Sequence, residues 1–368
     1  MRSFLTKKKA LFSTLLALTL VCFLLAGCDA TISTGGNSPF TQGSSDSCSG
    51  TCTVGNGATQ GLQVFVEPDA GDSVITSAIQ GAQKSVWVEM YLLTDRKIIS
   101  ALEEAAHNHI DVRVMLETHP YGGSGSVSPT ETLNRLQAAG VQTKSTNPTF
   151  ALTHEKGMVI DNKTAYITTA NYTLSALGSS HSTENREYGI IDTNTQDVQS
   201  VADIFNADWN RSSFQLNDPN LVVSPINSRT SFESLIDSAH KSLQIEAEEM
   251  QDSAIEQALT KAAQRGVQVQ IILPSPSSTS SESAGSDSNS QGIQTIKQGG
   301  AQVKEDPHLY MHAKIIVVDG QKAFVGSENI SSASLDRNRE LGIIVSDQGV
   351  LNTLQQTFQQ DWQSSNAA

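Results

Sequence analysis

The segment MHAKIIVVDGQKAFVGSENIS, Met311 to Ser331, restates THEKGMVIDNKTAYITTANYT, Thr153 to Thr173, at a shift of 158 residues. In both, a histidine and a lysine two positions apart lead into an apolar run that stops at a turn dipeptide, Asp161-Asn162 or Asp319-Gly320. Such dipeptides between apolar runs predict a β-hairpin. Alternate residues of a strand share a face, so His154 stands beside Lys156 and His312 beside Lys314. Polar groups at the mouth of a buried strand must be satisfied or used.

Working outward, the repeat continues. SVWVEMYLL (Ser85 to Leu93) matches SLQIEAEEM (Ser242 to Met250), and ALEEAAHNHIDVRVMLE (Ala101 to Glu117) matches ALTKAAQRGVQVQIILP (Ala258 to Pro274), both at a shift of 157. NREYGII (Asn185 to Ile191) matches NRELGII (Asn338 to Ile344) at a shift of 153. So steady a shift implies two copies of one α/β unit, expected over residues 61–215 and 216–368. Each copy reads as strand, amphipathic helix (DSVITSAIQGAQKS or TSFESLIDSAHKS), strand, helix and apolar strand (VRVML or VQIIL). The hairpin, a closing strand and a C-terminal helix follow, and this alternation predicts a sheet covered on both faces. The polar loops Thr118 to Glu131 and Ser275 to Gly292 fall at equivalent places, as a rim over the site or plain insertions.

The formal charge of the 368 residues is −14; residues 1–27 carry Arg2, Lys7, Lys8, Lys9 and no acid, so the rest stands near −18. That balance argues against a protein whose main work is gripping a nucleic-acid backbone, although it permits a local basic pocket. The start, MRSFLTKKKALFSTLLALTLVCFLLAGCDA, is basic, then apolar, then small-residue, which is export chemistry. Its LAGC, Leu25 to Cys28, resembles the lipobox of bacterial lipoproteins; the resemblance implies a signal peptide over 1–27, cleavage before Cys28 and a lipid on its sulfur. Residues 28–60 then read as a flexible tether holding the body outside the cytoplasm at the cell membrane. Cys48 and Cys52, in SCSGTC, are a candidate disulfide that would staple the tether.

HEKGMVID with TTANYT, HAKIIVVD with GSENIS, and the two NRE triplets resemble the phospholipase D superfamily from about residue 62 to the end. The resemblance implies two similar α/β/α sandwich repeats packed as a pseudo-dimer in a single chain, expected monomeric, with the active site at their interface. It implies His154 and His312 as catalytic histidines, with His154 the nucleophile and His312 the general acid, and Lys156, Lys314, Asn171 and Asn329 as phosphate ligands. Glu187 and Glu340 would orient the histidines. Asp161 and Asp319 belong to the motif's catalytic set but look more like hairpin supports. Thr169 and Ser327 would add hydroxyls to the phosphate; Thr168 replaces the glycine that the second copy keeps at Gly326. Glu89 and Glu246 align as acids near the pocket or as partners of a buried basic group.

The residue types suit phosphodiester chemistry. Lysines and amides stabilise anionic oxygens, one imidazole attacks phosphorus, and the other moves the proton. No cofactor and no metal are expected, because the lysines supply the positive charge. The leading expectation is a phosphoric diester hydrolase that removes phospholipid head groups. A cardiolipin-synthase-like transferase is the alternative, weakened by the lack of a membrane-helix pair ahead of the first motif. A nuclease is a second alternative, weakened by the acidic balance. Two whole histidine–lysine sets speak against an inert scaffold. His107, His109, His119, His181 and His240 lack counterparts, and Trp87, Trp209 and Trp362 are expected in the core.

Overall fold

The computed structural model describes residues 61–121, 127–178, 184–276 and 289–368. The expected signal, Cys28, Cys48, Cys52, the tether, His181 and most of the second polar loop lie outside the described residues. The first half runs β1 (Leu62–Glu67), α1 (Ser73–Gly81), β2 (Ser85–Met90), α2 (Arg96–His107), β3 (Asp111–Leu116), α3 (Pro129–Ala138), β4 (Gln142–Ser145), β5 (Lys156–Ile160), β6 (Thr164–Thr168), β7 (Asn185–Asp192) and α4 (Thr195–Asn210). The second runs β8 (Leu221–Ser224), α5 (Ser228–Asp237), β9 (Ser242–Ala247), β10 (Met250–Gln251), α6 (Ser253–Gln264), β11 (Gln268–Pro274), α7 (Ser290–Gln298), β12 (Gln302–Asp306), β13 (Tyr310–Met311), β14 (Lys314–Val318), β15 (Lys322–Gly326), β16 (Ile330–Ser331), α8 (Ser332–Asp336), β17 (Glu340–Val345), α9 (Gln348–Ser364) and β18 (Asn366–Ala367).

Two eight-stranded sheets result, and their main paths correspond strand for strand. One is ordered β1-β7-β6-β5-β2-β3-β4, with β13 beside β7 off that path; the other reads β8-β17-β15-β14-β9-β11-β12 before β18. The pleat explains the layers. Phe65, Val86, Val88, Met158 and Tyr166 face one outer core with α1 and α2, while Val64, Val66, Trp87, Val159 and Ile167 face the centre. In the second half Ile316, Val318 and Phe324 face the other outer core with α5 and α6, while Ile315, Val317 and Val325 face the centre. The central core adds α4 and α9 through Ile204, Phe205, Leu354 and Phe358. Each sheet is thus covered outside by its own helices and inside by a C-terminal helix and the opposite half, as a pseudo-dimer requires. Trp87 and Trp209 are buried, and Trp362 packs on the central core.

The hairpin turns place Asp161 (φ 57°) with Asn162 (φ 52°), and Asp319 (φ 54°) with Gly320 (φ 64°), in the left-handed region, the conformation that selects these residues. Asp161 Oδ1 accepts the backbone N–H groups of Gln83 (3.1 Å), Lys84 (2.7 Å) and Ser85 (2.9 Å). Asp319 accepts those of His240, Lys241 and Ser242. Both therefore latch a hairpin to the start of the neighbouring strand, about 16 Å along the strand from the lysine. This corrects their place in the catalytic set.

Both carboxyls are held below their ordinary value: burial pushes them up, but the three backbone donors outweigh it. A depressed carboxyl stabilises fully above the unfolded value of 3.8 and loses that contribution as pH falls through the native one. Asp161→Ala is expected to cost about 1–2 kcal/mol at pH 7, a difference that shrinks below about pH 4, while leaving kcat intact. Urea midpoints at the two pH values check it.

Candidate active site

The two halves meet by exchanging short strands at the motifs. His154 N–H donates to Arg339 O (2.8 Å), and Arg339 N–H donates to Leu152 O (2.9 Å). Across the pseudo-twofold, β13 pairs in parallel with β7, matching Tyr310 to Asn185 and Met311 to Arg186. Each histidine-lysine strand is thereby led in beside the NRE triplet of the other half.

That exchange assigns a separate task to every letter of the triplet. Glu340 Oε2 lies 3.0 Å from Nδ1 of His154, and Glu187 Oε1 lies 2.7 Å from Nδ1 of His312, so each acid serves the histidine of the opposite copy. The second contact is an ion-pair approach without hydrogen-bond alignment. Each asparagine steadies its own acid: Asn185 donates to Glu187 (3.0 Å) and Asn338 to Glu340 (3.2 Å). Each arginine crosses to the last turns of the other half's C-terminal helix. Arg186 donates to both oxygens of Asp361 (2.6 and 2.8 Å), and Arg339 to both of Asp208 (2.7 and 3.2 Å).

The hydroxyls expected on the phosphate are committed elsewhere. Thr169 donates to Glu187 (2.6 Å) and accepts the N–H of Tyr188 (2.9 Å). Ser327 donates to Glu340 (2.7 Å) and accepts the N–H of Leu341 (3.0 Å). Each hydroxyl has one proton, given to the carboxylate, so both residues hold the acids rather than the substrate. Thr168 likewise turns its hydroxyl to Ala170 O (3.0 Å), so its place in the loop is structural.

The lysines converge on the pocket. Lys156 Nζ donates to His154 O (2.6 Å) and stands 5.1 Å over the ring of Tyr91. Lys314 Nζ donates to His312 O (2.6 Å) and to Glu248 Oε2 (2.9 Å). Asn329 Nδ2 also reaches Glu248 Oε2 (3.2 Å), while Asn171 is buried after β6. Glu89 and Glu246 face the central layer. Glu246 accepts from Tyr188 (2.6 Å) near Arg186, and Glu89 lies near Arg339, so the buried-base reading describes them better.

Sequence reasoning missed Glu248, Asp208 and Asp361. The aspartates carried a signal, the shared DW of FNADWN and FQQDWQ at the ends of the two copies. Glu248 carried none from the repeat, because its counterpart is Tyr91.

Burial lowers Lys156 to about 7, helped by the charge of Lys314. Burial also lowers His154 below 6.5, against the pull of Glu340. Glu340, which burial alone would raise, is held low by the charge and hydrogen bond of His154. If His154 is the nucleophile and Lys156 binds phosphate, as the resemblance implies, the first must be neutral and the second charged. The profile of kcat/KM is therefore expected to rise below pH 6.5 and fall near pH 7. Lys156→Arg should move the falling limb upward, because a guanidinium stays charged.

With this geometry in hand, the family model described as cardiolipin synthase, PLD-like domain, matches residues 75–209 and 232–362. The probable cardiolipin synthase YwiE of Bacillus subtilis (strain 168) is 24% identical over 332 residues, 79% of this chain and 64% of the relative. Cardiolipin synthase A of Pseudomonas aeruginosa (strain LESB58) is 22% identical over 343 residues, 84% of this chain and 68% of the relative. The chain thus spans about two thirds of the length of the curated relatives it matches. The crystal structure of phosphatidylserine synthase from Haemophilus influenzae Rd KW20 superposes with a TM-score of 0.65 at 15% identity, covering 86% of this chain and 90% of that one. That of polyphosphate kinase from Porphyromonas gingivalis gives 0.62 at 16% identity, covering 81% of this chain and 46% of that one. These two likenesses establish the fold. The curated relatives overturn the expectation of a phosphoric diester hydrolase: they are named cardiolipin synthases.

Proposed function

The chain belongs to the family of cardiolipin synthase PLD-like domains, and on that footing we propose that it is a phosphatidyl transferase. It moves a phosphatidyl group from one phospholipid to an alcohol through a phosphohistidine. The observation that carries the phosphohistidine chemistry is the crossed pairing of Glu340 with His154 and Glu187 with His312 beside Lys156 and Lys314, and the names of the curated relatives support transfer over hydrolysis.

Nδ1 of His154 is engaged by Glu340, and its Nε2 has no polar partner among the described residues. That nitrogen attacks phosphorus. Acidic oxygens stand beside both ring nitrogens of His312, 2.7 Å (Glu187) and 3.4 Å (Glu248) away, and hold the ring in place. His312 gives its proton to the departing head-group oxygen as the phosphorus–oxygen bond breaks. It then takes the proton of the entering alcohol, whose oxygen displaces His154 from phosphorus. Lys156, Lys314 and the amides of Asn171 and Asn329 offset charge on the phosphoryl oxygens.

Purified protein on phosphatidylglycerol vesicles should form cardiolipin and release glycerol in equal amounts. Phosphatidic acid alone, or folded protein without turnover, would overturn the proposal. The export-like start and LAGC further support anchoring at the outer face of the cell membrane through Cys28. Fatty-acid labelling in the host should vanish in Cys28→Ser; labelling that persists excludes that anchor. No helix among the described residues is long and apolar enough to cross a membrane.

A further inference from the structure

The two halves differ at one position of the pocket. Tyr91 and Glu248 are equivalent in the repeat, each lying six residues beyond the serine that opens its strand, Ser85 or Ser242. In the first half Tyr91 packs edge-to-face with His154, centroids 4.7 Å apart, and sets its ring rather than a carboxylate beneath Lys156. In the second half the position carries a carboxylate that is only 6% exposed.

Oε2 of Glu248 lies 2.9 Å from Lys314 Nζ, 3.2 Å from Asn329 Nδ2 and 3.4 Å from His312 Nε2. Its Oε1 accepts from Tyr310 OH at 3.1 Å. One oxygen thus sits where an ammonium, an amide and an imidazole converge, the surroundings of a bound oxyanion. The ammonium and the amide are the groups of the second half that the proposed transfer directs at the phosphoryl oxygens, and the imidazole is the one that protonates the leaving oxygen. Burial would raise this carboxyl, but the charges of His312 and Lys314 outweigh it and hold it well below the usual carboxylate range. It is an anion at neutral pH.

We propose that Glu248 is a resident anion in the second half's phosphate subsite, so that a substrate oxygen gains Lys314 and Asn329 only by displacing it. The inference rests on reading the pocket as a phosphodiester site. A small free anion has no other contact with which to offset the displacement. A phosphodiester with two bound substituents does, because contacts remote from the reacting centre can be used there. Glu248 therefore discriminates against free phosphate.

The test is calorimetric titration of the full chain with inorganic phosphate at pH 7, for wild type, Glu248→Gln and Glu248→Ala, each checked by thermal melting. Both variants are expected to bind phosphate at least about tenfold more tightly, and adding Lys314→Ala should abolish the gain. The glutamine variant keeps the side chain's shape, so it serves should alanine unfold the site. Unchanged or weaker binding in a folded variant overturns the role of Glu248 and leaves the phosphodiester reading standing. A gain that survives Lys314→Ala locates the phosphate elsewhere and also overturns it. Phosphate bound by no form, wild type included, overturns both.

Discussion

Replacing His154 by asparagine is expected to lower kcat for phosphatidyl transfer by about 10⁴-fold or more, because the proposed transfer forms its covalent intermediate on that imidazole. Substrate binding should change little, since Lys156, Lys314 and the two amides remain, so the loss falls on kcat and not on KM. Glu340→Gln keeps the shape but removes the carboxylate 3.0 Å from Nδ1. The imidazole can then take the wrong tautomer, and about 10²–10⁴-fold of the rate should go. The double variant should be no slower than His154→Asn alone, because the acid acts only through the ring. Steady-state assays on vesicles decide this, and His154→Asn retaining more than about a hundredth of the turnover would remove the nucleophile assignment. The chain position of the acid gives the test its force: it lies in the other half, 186 residues away.

Arg339→Met should cost the largest share of stability, about 3–5 kcal/mol at pH 7, by leaving the buried Asp208 carboxylate without its cation. Carboxylate oxygens of Asp208, Glu89 and Glu155 lie within 4.8 Å of one another, and Arg339 donates twice to Asp208. Glu155 is raised to about 8, chiefly by burial, with Arg339 opposing the rise. A carboxyl raised in the native state holds more protons folded than unfolded, so its contribution to stability declines as pH climbs from 4.5 toward 8. Removing the arginine should steepen that decline, making the variant's deficit larger at pH 8 than at pH 5. Urea midpoints at the two pH values measure it. An equal deficit at both would mean that the cluster's charge is not what Arg339 offsets.

Much of this was open to reading along the chain. Apolar runs gave the strands, Asp161-Asn162 and Asp319-Gly320 gave the hairpins, and the copied blocks gave a two-half fold. The paired histidines and lysines marked the pocket because chemistry on a phosphodiester needs those groups in both copies. Reaction type was less accessible, since hydrolysis and transfer use the same residues and differ only in which oxygen attacks. The relatives' names, not the motif, moved the reading to transfer.

Repetition and alternation are properties of neighbouring residues, so a linear reading finds them: two α/β units, their strand faces, their turns and the four motif side chains. The exchange of partners between the halves is not local. That Glu340 serves His154 and that Arg339 reaches Asp208 follow only once two sheets pack face to face, whereas Thr169 and Ser327 meet their acids through the pairing of β6 with β7 and of β15 with β17. Packing brings residues more than a hundred positions apart within hydrogen-bond reach. Glu248 needs the tertiary structure of its own half in the same way: an acid in the copy where its counterpart is tyrosine acquires meaning only from the ammonium, amide and imidazole that folding gathers around its oxygen.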